Sequence, residues 1–283
     1  MSDKGFSWPP VRETVARFKI AARKGLGQNF LCDLNLTRRI VRAAGPLDGM
    51  HVLEVGPGPG GLTRALLESQ ALHVRAVEMD ERCIKALEEL GALTTPGRLT
   101  IVHGNALAFD AVKELPAPRA VVANLPYHIA TPLLIGWLKR IDSFESLTLM
   151  FQREVAERII AKPGGKTYGR LSVICQWLTR PEIVVKLPPS AFVPPPSVDS
   201  AVVRFTPRQG ALSQCDFQAM ERVTAAAFGQ RRKTLRNALS GLFADPSATL
   251  MAASIDPSLR AEAIPVADFI KLAQTPEATG RHS

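Results

Sequence analysis

Four cysteines in 283 residues, at positions 32, 83, 175 and 215, are too few and too scattered for a disulfide framework, and they lack metal-ligand spacing. Reduced thiols, no bound metal and a cytoplasmic setting are the expectation. No apolar run reaches the roughly 20 residues needed to span a bilayer, and the amino terminus lacks the charged-then-apolar pattern of a secretion signal. No membrane partner is therefore expected. Internal repeats and low-complexity tracts are also missing, which argues against a repeat array or a long disordered linker.

What is present is a chain with 46% hydrophobic residues, enough for a full core, and a length that fits one large domain plus a smaller one. The net charge of +9 is unevenly spread. Residues 31–150 are close to neutral, whereas residues 1–30 and 151–283 carry the excess of lysine and arginine. A near-neutral centre with basic flanks fits a protein that grips phosphates around a site that does not itself bind them. A generic basic surface is the alternative, and it accounts for the sum better than for the distribution.

The centre carries the chemistry. His51-Val52-Leu53-Glu54-Val55 reads as a buried strand running into the turn Gly56-Pro57-Gly58-Pro59-Gly60-Gly61, with a helix to follow over 64–69. Glycines there permit a tight turn and close approach of a ligand to the backbone. Val74 to Met79 reads as a second strand, with Glu78 at its end about 20 residues beyond the turn, placed to accept hydrogen bonds from both ribose hydroxyls of an adenosine. A nicotinamide dinucleotide would satisfy the same logic. Its fingerprint, however, sets the third glycine three residues after the second, and here the spacing is Gly56-x-Gly58-x-Gly60 with prolines between. Glu54, just before the turn, suits instead the cationic amino and sulfonium groups of S-adenosylmethionine. A third strand, Leu99 to His103, ends at Gly104-Asn105-Ala106, where Asn105 is placed to bond an adenine ring.

A fourth strand, Ala120 to Ala123, ends in Asn124-Leu125-Pro126-Tyr127. The tetrapeptide alone is often only a turn. After three strand ends of the kind just described, it fits a specific problem, methylation of the exocyclic amine of a base. That nitrogen is a poor nucleophile because its lone pair is delocalised into the ring. The Asn124 side-chain oxygen and the Leu125 carbonyl, fixed by Pro126, are placed to accept its two N–H bonds, and Tyr127 to stack on the ring. No residue near Tyr127 offers itself as a strong base, and none is required, since the methylated amine loses its proton to water.

At this point the chain resembles the ribosomal RNA adenine dimethyltransferases. The matching segments are Arg23-Lys24-Gly25-Leu26-Gly27-Gln28-Asn29-Phe30-Leu31, Glu54 to Gly60, Asn124 to Tyr127, Tyr168 to Val173, Phe192 to Val198 and Gln230 to Asn237. The resemblance spans roughly residues 20–275. It implies a Rossmann-like α/β fold with the seven-stranded methyltransferase sheet and a small carboxyl-terminal helical domain. It also implies S-adenosylmethionine as cofactor, and two adjacent adenosines in the 3′-terminal stem-loop of small-subunit rRNA as substrate, met within a precursor of the 30S particle. Carried over by motif, the cofactor contacts are Asn29, Leu31, Gly56, Glu78, Asn105 and Asn124, to which the residue-level reading adds Glu54, Gly58 and Ala106. Two departures stand out: the position of Asn105 is commonly Asp in the family, and the residue after Tyr127, often Asn, is His128, to which no chemical role is assigned.

The expected domains are residues 1–206, with 1–28 as a flexible arm, and 207–283. Strands over 147–151, 183–187 and 200–205 complete the sheet; helices are expected over 34–44, 154–161, 171–178, 217–228, 233–242, 246–253 and 266–273, with a basic loop at 162–166. Five prolines between positions 188 and 196 stiffen the segment around Phe192, and Phe192 is expected to oppose Tyr127 across a flipped adenine, the alternative being a core anchor. Arg231, Arg232, Lys233 and Arg236 form the strongest basic cluster and are expected to contact RNA phosphates. A single copy of the chain is expected to act.

Overall fold

The computed structural model describes residues 8–23, 25 and 27–280. Two compact units are present: residues 1–153 with 183–205, and residues 154–182 with 206–283. The helices of 154–182 thus group with the carboxyl-terminal helices rather than with the sheet, a grouping that a single linear boundary at 206 does not express.

The first unit opens with helix α1 (Val11–Arg17), strand β1 (Phe30–Leu31) and helix α2 (Leu34–Ala43). The α/β alternation then runs through β2 (His51–Val55), α3 (Gly61–Glu68), β3 (His73–Glu78), α4 (Glu81–Ala92), β4 (Leu99–His103), the single turn α5 (Ala111–Glu114), β5 (Arg119–Ala123), α6 (Tyr127–Leu138) and β6 (Ser146–Gln152). Strands β7 (Thr179–Leu187), β8 (Phe192–Val193) and β9 (Ser200–Pro207) follow. Seven strands form one sheet in the order β4-β3-β2-β5-β6-β9-β7, as expected for a methyltransferase fold. Pairing is parallel from β4 to β6, and β9 runs antiparallel to β6. Val52, Leu53, Val55 and Ala120 to Ala123 are all buried, the near-continuous apolar pattern of strands covered on both faces.

Strand order reverses between β2 and β5: the chain leaves β2 towards β3 and β4, then returns on the other side through β5 and β6. Ligands of open α/β sheets bind at that reversal, outside the carboxyl ends of the strands.

The loose-arm expectation for 1–28 is corrected over the described part. Residues 11–17 form α1, whose single buried face (Val11 and Thr14) is too short to produce a readable helical period. Trp8 Nε1 donates to Glu68 at 3.0 Å, and Arg17 pairs with Glu89 of α4. Residues 1–7, Lys24 and Leu26 lie outside the described residues.

Strand β1 crosses the glycine turn at close range. A Cβ on Gly61 would lie 2.0 Å from the Leu31 carbonyl oxygen, and one on Gly58 would lie 2.8 Å from the Phe30 ring, while Gly58 also has φ of +55°. Strand β1 is held there by antiparallel pairing with β8, Phe30 opposite Val193 and Leu31 opposite Phe192.

The second unit contains α7 (Arg153–Ile159), α8 (Arg170–Leu178), α9 (Phe217–Gly229), α10 (Leu235–Ala238), α11 (Pro246–Ala252), α12 (Val266–Ala273) and α13 (Pro276–Thr279). Its core is aromatic: Phe228 stacks on Phe269 at 5.5 Å and meets the buried Tyr168 edge-on at 6.0 Å. The helix expected over 233–242 is the single turn α10. Its first two amides are taken by the carbonyls of Leu259 and Pro257, and Gly241 lies just past its end. Among the described residues no helix is long and apolar enough to cross a membrane.

A Gly61→Ala exchange tests the crossing. In an ordinary helix it would add up to about 1 kcal/mol of stability. Here the methyl group and the Leu31 carbonyl compete for one volume, and a loss of about 1–3 kcal/mol is expected. Urea denaturation reads the sign; a higher midpoint for the variant would show that β1 does not lie on the turn.

Candidate active site

A cavity of about 370 Å³ opens at the carboxyl ends of β2, β3, β4 and β5. Its lining includes Gly27 to Leu31, the turn 54–59, Val77 to Met79, Gly104 to Leu107 and Asn124 to Ile129. Of the site residues expected from the sequence, Asn29, Leu31, Glu54, Gly56, Gly58, Glu78, Asn105, Ala106, Asn124, Leu125, Pro126 and Tyr127 all line it.

Phe192 does not. It is 2% exposed and belongs to the apolar cluster that contains Leu31, Leu62, Val185 and Val202. The expectation that it faces a base is corrected: pairing of β8 with β1 turns the ring into the core, beneath the segment that walls the cavity. The prolines around it stiffen an anchor.

Glu78 is held by its surroundings. Gly58 N donates to Oε2 at 3.0 Å, and the Met79 and Asp80 amides donate to Oε1 at 2.8 and 2.9 Å. Three N–H donors orient the carboxylate; Oε1 has both acceptor positions taken and Oε2 retains one for the cavity. Glu54 is the opposite case, 1% exposed and with Oε2 lacking a hydrogen-bond partner. The hydroxyl of its neighbour Thr63 favours the ionised form, yet Thr63 Oγ1 has not formed a hydrogen bond either. Burial pushes Glu54 up to about 8; the Glu78 carboxylate adds to the rise and the Arg64 guanidinium opposes it. A buried, unpaired acid in a cavity is a feature that a cationic ligand would complete.

Asn105 caps the turn 106–108, its Oδ1 accepting from Leu107 N at 3.0 Å. That bond leaves Nδ2 as a donor towards the cavity. Met79 and Leu107 stand 52% and 51% exposed among the lining residues, two large apolar side chains open at the cavity. Neither was singled out in the sequence; their signal is position, each directly after a residue expected to bind.

Asn124 Nδ2 donates to the Asn29 carbonyl at 3.0 Å. That bond uses one of the two N–H groups and fixes the amide plane, leaving Oδ1 as an acceptor for a ligand. Tyr127 Oη lies 2.6 Å from Ser200 Oγ of β9, which fixes the ring from its far edge. Burial raises the phenol above its ordinary value, so it holds its proton and does not serve as a base at neutral pH. Ser200 was missed by sequence reasoning, because nothing local marks a serine 73 residues away as a tyrosine partner. His128 also lines the cavity, its Nδ1 standing 3.1 Å from where a Cβ on Gly27 would be.

The basic cluster divides. Arg231 Nη2 donates to the carbonyls of Lys166 and Tyr168 at 3.0 and 2.8 Å and lies 3.7 Å from Glu262. Through that nitrogen the guanidinium ties the 162–168 segment within the second unit, while the side chain as a whole stays exposed. Arg232, Lys233 and Arg236 are exposed.

Comparison with known proteins agrees with this geometry. The profile of the family described as "Ribosomal RNA adenine dimethylase" matches residues 19–277. The chain is 55% identical over 269 residues to a protein called ribosomal RNA small subunit methyltransferase A from Rhodopseudomonas palustris (strain TIE-1), covering 94% of this chain and 93% of that one. It is 52% identical over 276 residues to the protein of the same name from Rhodospirillum rubrum, covering 98% and 95%. Among solved structures, a dimethyladenosine transferase from Plasmodium falciparum is similar with a TM-score of 0.76 and 26% identity, over 85% of this chain and 94% of that one. The 23S rRNA methyltransferase ErmE is similar with a TM-score of 0.66 and 27% identity, over 87% and 98%.

The Glu54 carboxyl generates a pH prediction. Between about 4.5 and about 8 the folded chain holds a proton that the unfolded chain has lost, so the acid lowers stability progressively as pH rises through that window. A Glu54→Gln variant escapes this. Its melting temperature relative to the parent protein is expected to climb from pH 5 to pH 8 and level off above; a difference flat in pH would show that Glu54 ionises normally.

Proposed function

The chain belongs to the ribosomal RNA adenine dimethylase family, and from that premise we propose that it transfers methyl groups from S-adenosylmethionine to the exocyclic N6 amines of two adjacent adenosines in the 3′-terminal stem-loop of small-subunit rRNA. The substrate is the rRNA within a precursor of the small subunit, in the cytoplasm, where the modification serves subunit biogenesis, and one copy of the chain acts alone. The observation that carries this reading is the amide of Asn124, its plane fixed by the Asn29 carbonyl with Oδ1 presented as an acceptor.

The residues fit the cofactor. The unpartnered Glu54 oxygen answers a cation, the oriented Glu78 carboxylate answers a ribose diol, and Asn105 Nδ2 donates to a ring nitrogen of adenine between Met79 and Leu107. Asn29, Leu31, Gly56, Gly58 and Ala106 supply backbone and shape. When bound, S-adenosylmethionine supplies a methyl group activated by a sulfonium.

The remaining work falls to the Asn124–Tyr127 corner. Asn124 Oδ1 and the Leu125 carbonyl accept the two N–H bonds of the target amine, drawing the nitrogen towards tetrahedral geometry and freeing its lone pair. Pro126 fixes the Leu125 carbonyl, and Tyr127, clipped to Ser200, holds the base flat. After the first transfer one N–H remains, and either acceptor can hold it for the second. Arg232, Lys233 and Arg236, exposed on the helical second unit, bind phosphates and position the RNA without reading its sequence.

Incubation with labelled cofactor and unmethylated small subunits, followed by mapping of the modified nucleotides, tests the assignment. Dimethyladenosine at two adjacent positions of small-subunit rRNA is expected; label on large-subunit rRNA would replace the substrate. Asn124→Ala should lower kcat by about 100-fold or more, the range for loss of a group that stabilises the transition state. Full turnover in that variant would end the account.

Charge reversal at Arg232, Lys233 and Arg236 should weaken RNA binding and reduce the slope of log affinity against log salt by about 1 for each phosphate no longer neutralised. An unchanged slope would remove these residues from the interface.

A further inference from the structure

Arg64 is an arginine buried without a carboxylate partner. It is 2% exposed, and no acidic side chain lies within ion-pair distance of it among the described residues. Burial lowers it, to about 10, so it remains cationic at neutral pH. A buried cation of this kind needs oxygen acceptors. Nη1 donates to the carbonyls of Pro59 and Gly60, both at 2.8 Å, and Nη2 donates to Thr14 Oγ1 at 3.0 Å. Thr14 is itself buried, on the inner face of α1, and its hydroxyl donates to the Pro10 carbonyl at 3.4 Å.

The two carbonyls belong to the turn that lines the cavity. The amides of the turn are held within the frame, Gly58 N on Glu78 and Gly60 N on the Pro57 carbonyl, and its carbonyls need donors too, or the peptide planes can rotate. Here one guanidinium takes two consecutive carbonyls, sharing that of Gly60 with the Arg64 amide, and is itself steadied from the other side by α1. The fit is close: a Cβ on Gly60 would stand 3.0 Å from Arg64 Nη1. Two further bonds hold the α1 segment on the same frame, Arg17 to Glu89 and Trp8 to Glu68.

We propose that Arg64 is a positioning residue for the cofactor turn and that helix α1, acting through the Thr14 hydroxyl, is a built part of the cofactor site. The segment ahead of the first sheet strand then contributes to cofactor affinity without touching the cofactor. This inference rests on the reading of the cavity as a cofactor site.

The test measures binding by calorimetry, with S-adenosylmethionine and with its demethylated product, beside hydrogen exchange of the Gly58, Gly60 and Gly61 amides. Thr14→Val keeps the shape and removes the acceptor; Thr14→Ser keeps the acceptor. Loss of a hydrogen bond to a charged group corresponds to roughly tenfold in affinity. Thr14→Val is expected to bind the cofactor several-fold to roughly tenfold more weakly, with faster exchange at the three glycines and kcat at saturating cofactor within about twofold of the parent. Thr14→Ser should restore affinity and protection. Arg64→Met should weaken binding at least as much, and adding Thr14→Val to it should cost nothing further, since the two act through one chain of bonds. If Arg64→Met does not fold, the Thr14 pair decides. Equal affinity and exchange in Thr14→Val and the parent would overturn the proposal, as would additive losses in the double variant. A parent protein that bound neither ligand would overturn the cofactor reading itself, and this inference with it.

Discussion

Leu31 lays its carbonyl oxygen where a side chain on Gly61 would stand, and both halves of the site follow from that crossing. With β1 resting on the glycine turn, the Phe30 ring covers Gly58 and the Asn29 carbonyl arrives beside β5, where it receives the Asn124 amide. One stretch of backbone therefore shapes the glycine-turn wall of the cavity and orients the Asn124 amide. Shifting β1 by one residue would put a side chain where the carbonyl now fits and would carry Asn29 away from Asn124.

Charge is sorted along the same lines. The chain is basic as a whole, yet the ionisable groups that line the cavity at the ends of β2 and β3 are acidic. Glu78, bonded by three amides, is committed to one geometry, whereas Glu54 has a free oxygen and a proton that burial favours. Two carboxyls on neighbouring strands thus offer the cavity different chemistry because their environments differ. Arg232, Lys233 and Arg236 stand exposed on the helical unit, away from these carboxyls in sequence.

Much of this could be read from the chain before any coordinates. Strands buried on both faces announce themselves as continuous valine and leucine runs, and the Glu54–Gly60, Glu78, Asn105 and Asn124–Tyr127 motifs mark strand ends because each carries its chemistry locally. What could not be read depends on partners far away in sequence. Phe192 looks like a stacking ring on a stiff loop; that it turns inward is decided by its pairing with Leu31. Arg231 reads only as a charge on an exposed segment; that its Nη2 also ties down the carbonyls of Lys166 and Tyr168 is decided by residues more than 60 positions away. Helix α1 has only two buried positions and no period to detect, and Ser200 and Thr14 are ordinary hydroxyls whose importance lies wholly in what they touch.

The pairing of β1 with β8 and of β6 with β9 has a temporal consequence. The wall formed by residues 27–31 is complete only when residues 192–193 reach it, and Tyr127 gains its clip only with Ser200. During synthesis, every motif that names the chemistry has left the ribosome well before the strands that hold it in place. The wall of residues 27–31 and the Tyr127 clip therefore close only once the last sheet strands have been made.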